Sequence, residues 1–441
     1  MLEIVLPVAV VAAVTGIWFL LHREKEKLPE RPETESGSRA LDTVIIALFF
    51  LGVILAPAMV RFPLVYRAFR SLRYACYLNV PCILALLLSL LRLKKWTVTD
   101  LLFFDAWMLL LIPLAVSGRD SELSVRILLP FQNLLPVCFM LFRMNHRSRE
   151  KTVRLFMILF NCFILFLLAF AVEEKITGKY VIKAFRDWLL AGNMYASNFV
   201  RFADEQRFFS FWGHPLTNAL LFNCFLGLNA AWYRSRGKTV YALLYFPAAM
   251  AGVLLSGSKT GIVVCFLFLP VICWKHRKWL LLCVPVLAAL YFAGAFNYII
   301  SRFANSRLTS GRLETLEVYF SGLHSEYPFR LLAGYGPRVF AAGNPLNTVR
   351  EGFEFPLLMF AAEYGIVFSV VLLAGSYGYI TWRCLKKKQW TIWLCYTLVF
   401  AEINTYNGYS LSSQDICILC NFAAMIMLNM LPEEKSSIHN S

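Results

Sequence analysis

The chain has 441 residues, of which 59% are hydrophobic and 16% charged, whereas a soluble globular domain carries about a quarter charged residues. This composition predicts an integral membrane protein and excludes an ordinary soluble enzyme. The formal charge of +16 does not indicate a nucleic-acid partner, because the lysines and arginines sit in short clusters between apolar runs, as topology signals do.

A hydrocarbon core of roughly 30 Å is crossed by about 20 apolar residues in a helix. Runs such as Leu155 to Val172 are continuously apolar and lack the alternation of barrel strands. The expected fold is therefore all-α and polytopic, with about 12–13 transmembrane helices. In chain order the predicted spans are Leu2 to Leu21, Leu41 to Val60, Tyr74 to Leu91, Asp100 to Val116, Ile127 to Phe142, Val153 to Val172, Phe211 to Trp232, Thr239 to Leu255, Gly261 to Trp274, Trp279 to Ala295, Phe355 to Tyr379, Thr391 to Ala401 extended by a turn, and Ile416 to Leu431. The first reads as an anchor, not a secretory signal, because its basic residues (His22, Arg23, Lys25, Lys27) follow the apolar run.

Four short basic loops fall on one side when the spans alternate: Arg143 to Lys151, Arg234 to Lys238, Lys275 to Lys278 and Arg383 to Lys388. That side is expected to be the cytoplasm. Arg61, Arg67, Arg70 and Arg73 land on the opposite side, against the rule. The chain then divides into helices over 1–172, a first external loop over 173–210, helices over 211–295, a second external loop over 296–354, helices over 355–431 and a tail over 432–441.

Each long loop carries a segment patterned as an interfacial helix: Val181, Phe185, Trp188 and Leu189 in the first, and Leu313, Leu316, Phe320 and Leu323 after an N-cap at Ser310 in the second. Both loops are expected to pack over the bundle and close a cavity. The twelve cysteines lie in or beside apolar segments, so there is no disulfide framework and no metal spacing. The CxxC of Cys417 and Cys420 reads as packing inside a span.

The external loops are rich in arginine, including Arg201, Arg207, Arg302, Arg307, Arg312, Arg330, Arg338 and Arg350. A cation moved to the middle of a bilayer costs about 2.5–3.5 kcal/mol, so arginines against a span favour an anionic partner. Phosphate suits the guanidinium fork best; ordinary lipid headgroups are the plainer reading. The segment SGSKTG, Ser256 to Gly261, is not a P-loop, because Ser258 stands where GxxxxGK[ST] needs glycine. Its Lys259 is a cation at the mouth of the bundle, either snorkelling or touching a ligand. Glu354 opens EFPLLMFAAEYGIVF at the junction of loop and bilayer, where burial and nearby arginines together leave a carboxylate able to take a proton from a hydroxyl. Glu363, nine residues on, reads as a structural partner within the bundle.

Taken in order, Arg207 with GHP (Gly213, His214, Pro215), SGSKTG, SGR (Ser310, Gly311, Arg312), LLAGYGP (Leu331 to Pro337) and EFPLLMFAAEYG (Glu354 to Gly365) resemble the bacterial O-antigen ligase and polysaccharide repeat-unit polymerase superfamily. The likeness covers about half the chain, Glu173 to Tyr379, and rests on the order of motifs that are weak singly. It implies a glycosyltransferase at the outer face of the bacterial cytoplasmic membrane, with undecaprenyl-pyrophosphate-linked oligosaccharides as donor and acceptor and a flippase and chain-length regulator as companions.

The resemblance further implies pyrophosphate contacts from Arg207 and Arg312 only, and Glu354 at the position of the base; Lys259 is added as a pyrophosphate candidate from its place at the mouth of the bundle. The resemblance implies no cofactor, no metal and no nucleic acid. The ligases carry HNxxL where this chain has Glu354, Phe355 and Leu358, which favours a polymerase over a ligase. His214 belongs to another motif and reads as a helix-start residue bonding locally beside Pro215. A lipid-linked oligosaccharide flippase is the alternative from a different class; it would carry intramembrane cations through the depth of the bundle and related halves, and neither is evident in the sequence.

Overall fold

The computed structural model describes residues 2–25, 35–57, 59–61, 63–64, 79–91, 93–117, 134–185, 207–274, 278–292, 294, 296–297, 300–301, 316–323, 327–336, 355–409 and 414–432. Among these the secondary structure is helical, with no strand. Among the described residues, five helical stretches are long and apolar enough to cross a membrane: Ile4–Arg23, Val98–Ser117, Ser148–Thr177, Thr239–Ser256 and Ile366–Lys386.

The helices are α1 (Leu2–Lys25), α2 (Glu35–Phe49, continued by a π turn, Phe50–Leu55), α3 (Val80–Leu90), α4 (Val98–Leu109), α5 (Leu111–Ser117), α6 (His146–Thr177), α7 (Tyr180–Ala184), α8 (Pro215–Arg234), α9 (Thr239–Leu243), α10 (Phe246–Ser256), α11 (Lys259–Cys273), α12 (Lys278–Phe292), α13 (Pro356–Tyr364), α14 (Ile366–Leu373), α15 (Tyr379–Lys386), α16 (Trp390–Asn404) and α17 (Gln414–Asn429). The described end of the expected span Ile127 to Phe142 is a 3-10 segment, Leu135–Leu141, not an α-helix.

The hub is α8, in which every residue except Leu216 and Tyr233 is buried. It packs against α6, α9, α10, α11, α16 and α17. An enclosed helix must find partners for its polar side chains, since a buried amide without one costs about 1–3 kcal/mol. Three asparagines do so at successive depths. Asn218 Nδ2 donates to the carbonyls of Phe208 and Phe209 at 2.9 and 3.0 Å, Asn223 Nδ2 to Glu402 and Gly261, and Asn229 exchanges hydrogen bonds with Asn161 of α6 at 2.8 and 3.1 Å.

The span expected from Phe211 begins at Pro215 instead. Ser210 and Gly213 have positive φ values of 54° and 70°, so the chain turns before the helix can start. His214 then caps it, its Nδ1 accepting from the Leu216 amide at 3.2 Å with Pro215 in the first turn. The span from Thr239 is interrupted between α9 and α10.

The span from Phe355 breaks at Gly365, whose φ of 100° lies outside the reach of ordinary L-residues. It runs on through a π turn, Ala374–Gly378, where Gly375 lies against the Trp107 ring.

Three of the basic loops meet at one end of the bundle. Arg143 pairs with Asp100 at 3.3 Å and bonds the Tyr379 hydroxyl. Arg236 pairs with Glu150 at 3.3 Å, and Lys387 donates to the Pro432 carbonyl. The opposite end gathers the α6 terminus, the segment before α8, the α10–α11 turn and the α13–α14 break.

Candidate functional site

The segment Arg207–Ser210 is held from three elements. Glu174, near the end of α6, accepts from the amides of Phe209 and Ser210 at 2.9 and 2.7 Å. Asn218 of α8 takes the carbonyls of Phe208 and Phe209. The Phe208 amide donates to Leu255 O of α10 at 2.9 Å. Arg207 is thereby fixed at the base of its side chain and is 6% exposed. Its Nε donates to the Ser256 carbonyl at 3.2 Å, placing a cation at the C-terminal pole of α10, where the helix dipole favours it.

SGSKTG is a turn between helices. Gly257 closes α10 with φ 64°, its amide reaching Val253 and Leu254 carbonyls. Ser258 caps α11, its Oγ accepting from the Gly261 amide at 3.0 Å. Lys259 is half-buried at the first position of α11, three residues from the carbonyl that holds Arg207. Two of the four candidate residues are thus brought to one turn. Arg312 and Glu354 lie outside the described residues, as does Ser310; the described chain resumes at Phe355, directly before Pro356 of α13.

The described part of the second loop docks on the Gly365 break. Tyr335 N and Gly336 N donate to the Ala362 and Glu363 carbonyls at 2.9 and 3.0 Å, while Ile366 N and Val367 N donate back to Arg330 and Leu331 carbonyls at 2.9 and 3.0 Å. Gly334 permits this approach, since a Cβ there would stand 2.3 Å from Ala362 O. Residues 331–336 and 355–365 are therefore one structural unit, with Glu363 buried inside it.

The inward face of the loop differs from expectation. Tyr319 is fully buried, whereas Phe320 is 56% exposed, because the π turn Tyr319–Leu323 shifts the register and Tyr319 packs with Phe329. Burial pushes the Tyr319 hydroxyl up to about 12, and it donates to Tyr327 O at 2.7 Å. Arg330 lies 4.2 Å over the Tyr335 ring. The first loop starts later than expected, because α6 continues to Thr177; α7 follows, with Ile182 as its buried residue and Phe185 exposed.

A groove of about 610 Å³ opens on the side of the bundle between the π turn after α2 and α6, lined among others by Leu55, Phe163, Phe166, Phe170, Phe211 and Trp212. Its rings lead to Arg207: Phe170 stacks on Phe211 at 5.2 Å and meets Phe208, the neighbour of Arg207, edge-on at 6.1 Å.

Two buried carboxylates escaped the sequence reading as parts of this end of the bundle: Glu174 and, on α16, Glu402, which is 1% exposed. The signal was present for Glu402, a single acid within an otherwise apolar run, and weaker for Glu174, one of the charged residues Glu173, Glu174 and Lys175 at the end of such a run. Comparison with protein-family models, with curated proteins and with solved structures gives no match to this chain.

Proposed function

We propose that the chain is a multi-pass glycosyltransferase of the bacterial cytoplasmic membrane, with about 12–13 spans and its basic loops in the cytoplasm. It polymerises undecaprenyl-pyrophosphate-linked oligosaccharide repeat units into a surface polysaccharide (capsule, exopolysaccharide or O-antigen) at the outer face. The observation that carries this reading is the buried Arg207, clamped at the α10 terminus and sharing a turn with Lys259.

Two cations at one end of an apolar bundle, beside an aromatic groove open to the side, suit a diphosphate head with a polyprenyl tail. Arg312 joins them in this reading. A sugar pyrophosphate is already activated. The acceptor hydroxyl oxygen forms the new bond to the anomeric carbon, the bond to pyrophosphate breaks with its electron pair, and the hydroxyl proton passes to the Glu354 carboxylate. Positioning and charge stabilisation of the leaving group supply the catalysis. A flippase delivering the units and a chain-length regulator are the expected partners.

The test compares surface and lipid-linked glycan in cells of the source organism carrying wild type or Glu354→Gln at equal membrane expression. Single repeat units accumulating on lipid, with long surface chains lost, is the expected result. Long chains stranded on lipid would make the protein a ligase, precursor trapped on the cytoplasmic face a flippase, and unchanged pools would remove Glu354 from the mechanism.

A further inference from the structure

Glu402 plays no part in the reading above, yet it sits at the seam of α16, α8 and α11. Its Oε2 accepts from Asn223 Nδ2 at 2.7 Å, and the same nitrogen donates to the Gly261 carbonyl at 2.9 Å. Its Oε1 has no hydrogen-bond partner; neither has Asn223 Oδ1, nor the hydroxyl of Tyr406. All three residues are more than nine-tenths buried. Tyr406, four residues on, lies within electrostatic reach of Glu402. Among the described residues Glu402 makes no ion pair. Gly261 packs closely on this carboxylate, since a Cβ there would stand only 3.0 Å from Oε1.

A bare carboxylate in an apolar interior is strongly unfavourable. A water molecule would serve the three oxygens but leave the charge uncompensated. A proton together with a water is the competing arrangement, since it neutralises the carboxyl and leaves partners for the other oxygens; the pH arm of the test below separates it from a cation. A divalent ion would leave an excess positive charge, because one carboxylate is present. A small monovalent cation answers both requirements, and hard cations take oxygen ligands of these types.

We propose that Glu402, Asn223 and Tyr406 form a buried binding site for a monovalent cation, with Na⁺ as the ion. The site stands independently of the glycan reading.

The test uses the full chain purified in detergent, with Tm followed by intrinsic fluorescence as NaCl replaces choline chloride at constant ionic strength, and with KCl in parallel. The wild-type Tm is expected to climb with the logarithm of Na⁺ concentration and to respond less to K⁺. The dependence disappears in Glu402→Gln, and the apparent Na⁺ affinity falls by about tenfold in Tyr406→Phe, which loses one ligand. Because removing a buried charge can itself raise Tm, the readout is the slope on Na⁺.

Retention of radiolabelled Na⁺ by wild type and not by Glu402→Gln gives the direct measure. A wild-type Tm indifferent to the three salts, or a slope unchanged in Glu402→Gln, overturns the proposal. So does a Tm that ignores the cation but falls as pH rises, which would make Glu402 a neutral acid bonded to Asn223.

Discussion

Arg61 and Asp415 stand 354 residues apart in the chain and meet at 3.1 Å in the interior, both largely buried. Arg61 also donates to the carbonyls of Gly52 and Ala56 at 2.8 Å, and Asn79 donates to the same Asp415 oxygen at 3.1 Å. The pair joins the π turn after α2 to the start of α17. An arginine that violated the topology rule in the sequence is thus a structural ion, which removes it from the loop-charge count.

Breaking this pair from one side is expected to be costly, about 3–5 kcal/mol, because the remaining charge is left buried. Asp415→Ala should lower the Tm of the purified protein strongly, and the double variant Arg61→Met with Asp415→Leu should recover much of the loss. Equal Tm values for wild type and Asp415→Ala would show that water already solvates the pair.

Arg207→Lys keeps the charge but removes the Nε donor to Ser256 O and the planar fork. Hydrogen bonds to charged groups contribute about 1.5–3 kcal/mol, so glycan transfer in membrane vesicles should fall about tenfold to a hundredfold at equal expression. A lysine variant with wild-type transfer would reduce Arg207 to an anchor at the headgroups.

The aromatic groove should take a polyprenyl chain. Leu167 also lines this groove; Leu167→Trp fills it, and loss of a buried apolar contact of about 1.5–3 kcal/mol should weaken retention of undecaprenyl phosphate at least about tenfold by native mass spectrometry. Phosphatidylglycerol is the control for ordinary lipid. If both lipids respond alike, the groove holds bulk lipid only.

Gly334→Ala should separate the second loop from the α13–α14 break, since its Cβ would enter the Ala362 carbonyl. Amide exchange at Tyr335, Gly336, Ile366 and Val367, whose donors bridge the two segments, is the readout. Faster exchange at these four positions, with α8 still protected, is the expected pattern; unaltered exchange would mean that the backbone shifts to accommodate the methyl group.

Local sequence made the helix caps at this end of the bundle legible before any geometry. SGSKTG was readable as a capping turn because Gly and Ser have fixed uses at helix ends, and His214 was readable as a cap beside Pro215. Glu402 and Asn223 were not, because one acid and one amide in apolar runs carry no mark of being neighbours; they are 179 positions apart and meet only when α8 and α16 pack. The inward turn of Tyr319 in place of Phe320 was hidden for a different reason, since a π turn changes the period on which face assignment depends.

What the sequence determined by itself was local: helical, membrane-type segments, from apolar runs too long and continuous for strands, and the caps and breaks where Gly, Pro and Ser change the backbone. Only the tertiary structure decided which polar groups face one another, placing Arg61 on Asp415, Arg207 on the α10 terminus and Asn223 on Glu402. Hydropathy is a property of neighbouring residues. The pairing of buried polar groups is set by helix packing across hundreds of residues, where leaving such a group unpaired is unfavourable.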